Sequence, residues 1–152
     1  MQLADANVLI VEDGNEYLDN YTRHVVGPTY LQAHSGAQAL AILASQTMHV
    51  LLLDMRFDRV PRSTLLGDHA QAAREHGGDG ERAWRHLSHH QGLYILAAVR
   101  AAGHVQIPVL LAYDFSREMR RFDLLHRSFG TVDWLPDAAS ADLLQQRMQQ
   151  ML

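Results

Sequence analysis

Three carboxylates stand where two apolar runs end. Glu12 and Asp13 follow Val8-Leu9-Ile10-Val11, and Asp54 follows Val50-Leu51-Leu52-Leu53. In a parallel α/β sheet ligands collect at the carboxyl edge of the strands, so an acid pair ending one strand and a single acid ending its neighbour would meet in one pocket. Carboxylates so close repel one another and raise at least one pKa unless a cation neutralises them. Mg²⁺ suits that task, because it prefers oxygen ligands, keeps several waters and binds through one or two carboxylates plus phosphate.

The elements that must position these acids are legible in the order of the apolar patterns. Asn7 to Val11 reads as a central strand closed by the turn at Asp13-Gly14, and Thr29 to Ala33 as a second, short strand. His49 to Leu53 is the third strand and the most apolar run in the chain, Ile107 to Ala112 the fourth, and Thr131 to Leu135 the fifth. Helical spacing predicts helices over Asn15 to Val26, Gly36 to about Ala44, Gly92 to Ala102 and Ser116 to Ser128, and a last one capped by Ser140. Strands alternating with helices give an α/β fold, a doubly wound five-stranded parallel sheet of order 2-1-3-4-5. On that order the first and third strands are neighbours where the winding reverses, which sets Glu12, Asp13 and Asp54 side by side.

Five pieces of sequence, in order and at compatible spacings, carry a resemblance. "VLIVED" (Val8 to Asp13), "AHSGAQALAIL" (Ala33 to Leu43), "VLLLDM" (Val50 to Met55), "GLYILAAVRAAGHVQIPVLL" (Gly92 to Leu111) and "GTVDWL" (Gly130 to Leu135) resemble the receiver domain of bacterial two-component response regulators, which has a flavodoxin-like fold. The resemblance implies that Asp54 is the phosphoacceptor and that Glu12, Asp13, Asp54 and the backbone carbonyl of Arg56 hold Mg²⁺. It also implies that Trp134 is the aromatic switch, with Tyr113 in the place of the usual Thr or Ser switch residue. The family's lysine is missing, because all 13 basic residues are arginine. Counted without gaps its position holds Asp137, followed by Ala138, while a shifted alignment uses Pro136 and puts Leu135 there.

Phosphoryl transfer needs compensating charge on the equatorial oxygens, and losing one such donor typically costs roughly 3 kcal/mol of transition-state stabilisation, about a hundredfold in rate. Arg56 or Arg117 leaning over the pocket, with a hydroxyl from Ser116 or Tyr113, would be a different tool from lysine, gripping phosphate with a planar fork.

Length and composition narrow the class. At 152 residues the chain fits a single receiver-like domain over 1–152 with no separate output domain. A hydrophobic content of 47%, a charged content of 20% and a formal charge of -4 describe an ordinary globular protein without the basic field that attracts nucleic acid or an anionic membrane. With no cysteine, no transmembrane run and no leader, the expected location is cytoplasmic. Protonating all ten histidines would move the formal charge from -4 to +6, so mild acidification could alter surface association.

Residues 55 to 91 lie between Asp54 and Gly92, 37 in all, where such a connection usually takes about two to six. The extra part, 58–91, is expected to be a helical insertion with stretches around Ser63 to His76 and Asp79 to His89, separated by Gly77-Gly78. It could act as a lid or a binding surface. His86 and His90 at i, i+4, with His89, His69 and His76 nearby, could hold zinc, but without a firm third ligand a solvated histidine-rich helix is the simpler reading.

The leading functional expectation is a stand-alone receiver in a two-component or phosphorelay pathway. It would act by protein–protein interaction, with no enzymatic turnover beyond self-phosphorylation and dephosphorylation of Asp54. The implied partners are a sensor histidine kinase or phosphotransfer protein and an output protein, without nucleic acid or membrane, and a homodimer is compatible with the sequence. The family's usual output face, formed by the fourth helix, fifth strand and last helix, would carry Arg117, Arg120, Arg121 and Arg127. One alternative is a phosphorylation-independent pseudo-receiver acting as a binding module. Another is a metal-dependent phosphohydrolase, for which "DMRFD" offers no second carboxylate two residues after Asp54.

Overall fold

Unbroken aliphatic runs are satisfied when both faces of a strand are covered, and the chain sandwiches them between two helical layers. The computed structural model describes residues 1–152. Strands β1 (Asn7–Val11), β2 (Thr29–Ala33), β3 (Val50–Asp54), β4 (Val109–Ala112) and β5 (Val132–Trp134) form one parallel sheet of order β2-β1-β3-β4-β5. The helices are α1 (Glu16–His24), α2 (Gly36–Ser45), α3 (His69–Glu75), α4 (Gly80–His89), α5 (Gln91–Ala101), α6 (Met119–Phe129) and α7 (Ala141–Met151). The doubly wound architecture anticipated from the apolar pattern, strand order included, is the one the chain adopts.

The two-residue period of the strands divides the core. Val8, Ile10, Val50, Leu52 and Leu110 pack towards α1 and α7, while Leu9, Val11, Leu51, Leu53, Val109 and Leu111 pack towards α2, α5 and α6. The register pairs Val11 with Leu53, so the chain leaves β1 at Glu12 level with Asp54 at the end of β3.

Capping chemistry set several helix starts correctly. Ser35 Oγ accepts from Gln38 N at 3.2 Å, Ser140 Oγ from Leu143 N at 3.1 Å, and Asp79 Oδ1 from Glu81 N and Arg82 N at 3.1 Å each. Two helices begin later than their periodicity suggests. The stretch expected from Ser63 is helical only from His69, because Gly67 takes φ +110° and Asp68 caps the new start by accepting from Gln71 N at 3.0 Å. The helix expected from Ser116 begins at Met119, because Asp114 accepts from Ser116 N at 2.8 Å and a Glu118 N to Phe115 O turn intervenes.

The insertion packs as a small layer of its own, with Ala72, Ala83 and Leu87 buried beside Trp84 and Tyr94. Gln91, 1% exposed, pins it to the start of α5. Its Oε1 accepts from Leu66 N at 2.7 Å, and its Nε2 donates to Leu66 O and Leu87 O at 3.1 Å each.

At the opposite edge of the sheet Arg100 joins α5 to the starts of β4 and β5. Its guanidinium donates to the carbonyls of Phe129, His104 and Ile107 at 2.8 Å each and of Thr131 at 3.2 Å. Arg100→Met keeps much of the apolar stem and orphans these carbonyls, so chemical denaturation is expected to show a loss of about 2 kcal/mol. Lysine, with a point charge instead of a fork, is expected to recover only part of it.

Candidate functional site

At the carboxyl edge of the sheet the acids of β1 are already engaged. Glu12, 1% exposed, turns under the first turn of α1, where Oε1 accepts from Tyr17 N at 3.1 Å and Oε2 from Leu18 N at 3.0 Å and from Gln32 Nε2 at 3.1 Å. Asn15, at the cap position, makes no side-chain cap of its own, so Glu12 satisfies the helix's free amides from below. Burial pushes the Glu12 carboxyl above its ordinary range, and these amides and Gln32 pull it partly back.

Asp13 is held by the first residues of the insertion. Its Oδ2 accepts from the backbone N–H of Asp58 at 2.9 Å and of Arg59 at 3.1 Å, and its Oδ1 from Arg59 Nη2 at 2.9 Å. The same guanidinium forks onto Glu16 through both nitrogens, and this pairing brings the Glu16 carboxyl down to about 2. A cation from the chain itself therefore lies on Asp13 and Glu16.

Asp54 lies beside them, half-buried, with Oδ1 accepting from Met55 N at 2.8 Å. Burial raises its carboxyl to about 7; the Met55 amide opposes the rise, while the charges of Asp13 and Glu12 add to it. Tyr17 is raised chiefly by burial and then by the charges of Asp54, Glu12 and Asp137, which locates its phenol among these acids. A cavity of about 200 Å³ opens between α1 and the exits of β4 and β5, lined among others by Tyr17, Tyr113, Leu135 and Asp137. Asp137 stands at this opening, its N–H donating to Asp114 Oδ2 at 3.2 Å. Leu135, the alternative occupant of the lysine's place, is buried in the core at 2% exposure.

In the expected Mg²⁺ set of Glu12, Asp13, Asp54 and the Arg56 carbonyl, the three carboxylates already have hydrogen-bond partners. No group of three or more His, Asp or Glu side chains is disposed to hold a metal ion. Glu12 spends both oxygens on the end of α1, Asp13 spends both on the 58–59 segment, and the guanidinium bound to Asp13 repels any dication brought there.

The other expected side chains divide. Arg56 donates from Nη2 to His89 Nε2 at 3.0 Å and lies 3.9 Å from Asp58, so it serves the insertion. Arg117 and Ser116 are exposed. Tyr113 gives its hydroxyl to Glu118 and meets the edge of Phe115 at 4.6 Å. Trp134 lies on the other side of Phe115, at 6.3 Å, with Arg147 over its ring at 5.9 Å. Among the histidines, rings 76 and 86 lie 5.3 Å apart and rings 86 and 90 lie 4.5 Å apart. The Nδ1 of His76 and that of His90 are each spent on a backbone carbonyl. No helix is long and apolar enough to cross a membrane.

Sheet order, helical layers and the acids at the β1 and β3 exits define the fold of the response-regulator receiver domains. Solved structures similar to this chain are of that kind. The receiver domain of the Francisella response regulator 1452 is 16% identical, with 97% of this chain and 96% of that chain covered at a TM-score of 0.64. Chemotaxis protein CheY4 of Vibrio cholerae is 18% identical, with 97% and 98% covered at a TM-score of 0.65. The signal receiver domain of a histidine kinase from Syntrophus aciditrophicus is 14% identical, with 97% and 90% covered at a TM-score of 0.64. At these identities the likeness establishes the fold. No protein-family model matches the sequence, and no curated protein matches it.

Sequence reasoning missed Arg59, Glu16 and the position of Tyr17. The signal is indirect: three acids and no lysine call for a cation from somewhere in the chain, and nothing local distinguishes Arg59 from Arg56 and Arg117.

Proposed function

We propose that the chain is a receiver-fold signalling module that works by protein–protein contact without phosphoryl transfer. The observation that carries this reading is Arg59, whose guanidinium and backbone N–H, with that of Asp58, occupy both oxygens of Asp13. Asp13 is thereby neutralised by the chain itself, and neither candidate for the lost lysine's place, Asp137 or Leu135, supplies a cation. Incubation with Mg²⁺ and a small phosphodonor followed by intact-mass measurement tests this. No phosphoryl addition is expected, and an addition that disappears in Asp54→Asn would overturn the reading.

A phosphorylated receiver, served by a sensor histidine kinase or phosphotransfer protein, is the second reading. It is favoured by Asp54, whose nearest charges are the acids Asp13 and Glu12 and which is therefore not neutralised. The phosphohydrolase reading gains no acid or base, since the carboxylates of Glu12 and Asp13 are tied to backbone amides.

Removing the resident cation separates these readings. Arg59→Ala leaves Asp13 held only by backbone amides and lifts the repulsion between a guanidinium and an incoming dication. Calorimetric titration is expected to show Mg²⁺ affinity rising roughly tenfold or more over wild type. Equal affinity in the two proteins would mean that Arg59 does not exclude the ion.

A further inference from the structure

The insertion builds a second feature, away from the acid edge. Where α4 ends and α5 begins, the surface meets α6 around a groove with a chemically divided lining. One half encloses about 320 Å³ against Leu93, Tyr94 and Ala97 of α5 and Phe129 of α6, with His86, His90 and Arg121 at its rim. The other half shares His86 and has no apolar residue, being lined by His76, Arg82, Arg85 and His89. Arg82 and Arg85 are exposed, and the apolar residues of the first half are only half-buried. The acids that face this region are Glu75, near His86 and Tyr94, Glu81, near Arg85 and paired with Arg62, Asp58, 3.9 Å from His89 Nε2, and Glu118, which Tyr113 and Arg121 already engage. On a chain of formal charge -4, a strip of arginine and histidine beside an apolar recess is opposite in sign to the whole.

We propose that this groove docks an acidic amphipathic helix of a partner protein. Its apolar side chains enter the Leu93–Phe129 half, and its carboxylates meet Arg82 and Arg85. The inference deepens the proposed function by giving the module a contact surface and a partner chemistry. Three observations favour such a partner. An apolar recess continuous with a cationic strip matches the anchor-and-flank pattern of a helix lying in a groove. Charge complementarity of this kind steers encounter and rejects the wrong sign. One wall comes from α4, so the surface is in part a product of the insertion, and through Arg121 and Phe129 it borders the face formed by α6, β5 and α7. A nucleic acid fits poorly, because the recess is apolar and carries no phosphate-sized run of donors.

Three labelled helical peptides test the proposal on the full chain by fluorescence anisotropy. They are one with Leu and Phe at i, i+4 and i+7 flanked by Glu, one with Lys replacing each Glu, and one with Ser replacing Leu and Phe. The Glu peptide is expected to bind at least about tenfold more tightly than either control, and to weaken as ionic strength is raised to about 0.5 M. Arg82→Glu with Arg85→Glu is expected to cost about tenfold or more, and Ala97→Trp to block the recess, with circular dichroism confirming that both variants fold. Equal binding of the Glu and Lys peptides, absence of binding, or indifference to both variants overturns the proposal. Such a failure without a phosphoryl adduct removes this surface and leaves the phosphate-free reading standing, whereas an adduct at Asp54 removes that reading whatever the peptides do.

Discussion

Gly92→Ala is expected to lower the stability of the fold by about 3 kcal/mol, a loss visible as an earlier denaturant midpoint with an unchanged slope. Gly92 lies in the first turn of α5, where the helix crosses the exit of β3 almost backbone to backbone. A methyl group there would come within 2.9 Å of Met55 Cα and closer still to the Asp54 carbonyl oxygen. These are main-chain atoms of a buried strand, and no rotamer change moves them aside. The contact is also held by a hydrogen bond from Gly92 N to Met55 O at 2.9 Å. Any relaxation therefore shifts either the start of α5 or the peptide that carries Asp54. A midpoint within experimental error of wild type would show that α5 can pivot, and that Asp54 is less rigidly positioned than the packing implies.

Asp54→Asn is expected to stabilise the protein above neutral pH. Asp54 has an ordinary value of 3.8 and is raised to about 7 in the folded chain, chiefly by burial. Between these values the folded protein keeps a proton that the unfolded chain has released, so unfolding liberates it. Linkage then gives this contribution its sign: it is fully present below about pH 4, declines as pH rises, and is lost by the time pH passes through 7. At pH 8 the wild type carries a poorly solvated charge beside Asp13, and asparagine removes it, a gain of about 2 kcal/mol. Glu12, also raised, acts in the same direction. Surface carboxylates lowered by their partners, Glu16 and Glu81 through arginine and Glu118 through Tyr113 and Arg121, act oppositely, losing their contribution only as pH falls below the ordinary glutamate value of 4.5. Denaturation profiles from pH 4 to 8 are expected to slope downward for wild type and to flatten in Asp54→Asn. Parallel profiles would mean that Asp54 is charged throughout, with its burial relieved in solution.

The fold was legible because its signals are local. The three central strands are near-continuous apolar runs, each of three helix starts carries a Ser or Asp whose cap is made, and alternation of the two element types leaves few topologies. The insertion was legible in outline only. Its first helix begins at His69, six residues beyond Ser63, since periodicity gives no warning that Gly67 takes a left-handed backbone while Asp68 restarts the helix.

The site was half legible for a related reason. Strand order alone brings Glu12, Asp13 and Asp54 to one edge. Their partners depend on how loops return, and that information is not local. Arg59 in "FDRVPR" reads as a solvated loop residue, yet it closes on Asp13 across 46 positions of chain. Glu12 was read as a ligand because of its type and place. That it also satisfies the amides of Tyr17 and Leu18 follows from the way α1 descends onto the sheet, which the residue pattern does not specify. Of the arginines expected to stand in for the lysine, Arg56 is taken by His89 and Asp58 and Arg117 is exposed, while Arg59 pairs with Asp13 and Glu16.

The central claim is that a guanidinium from the chain, and not a dication, neutralises Asp13 at the acid edge. Amide spectra recorded while Mn²⁺ is titrated into the wild-type protein test it most directly, because the paramagnetic ion broadens whatever lies near it. The account predicts no selective loss of the signals of Glu12, Asp13, Asp54 and Met55 in the wild type, and their selective loss in Arg59→Ala. Selective broadening of those signals in the wild-type protein would contradict it.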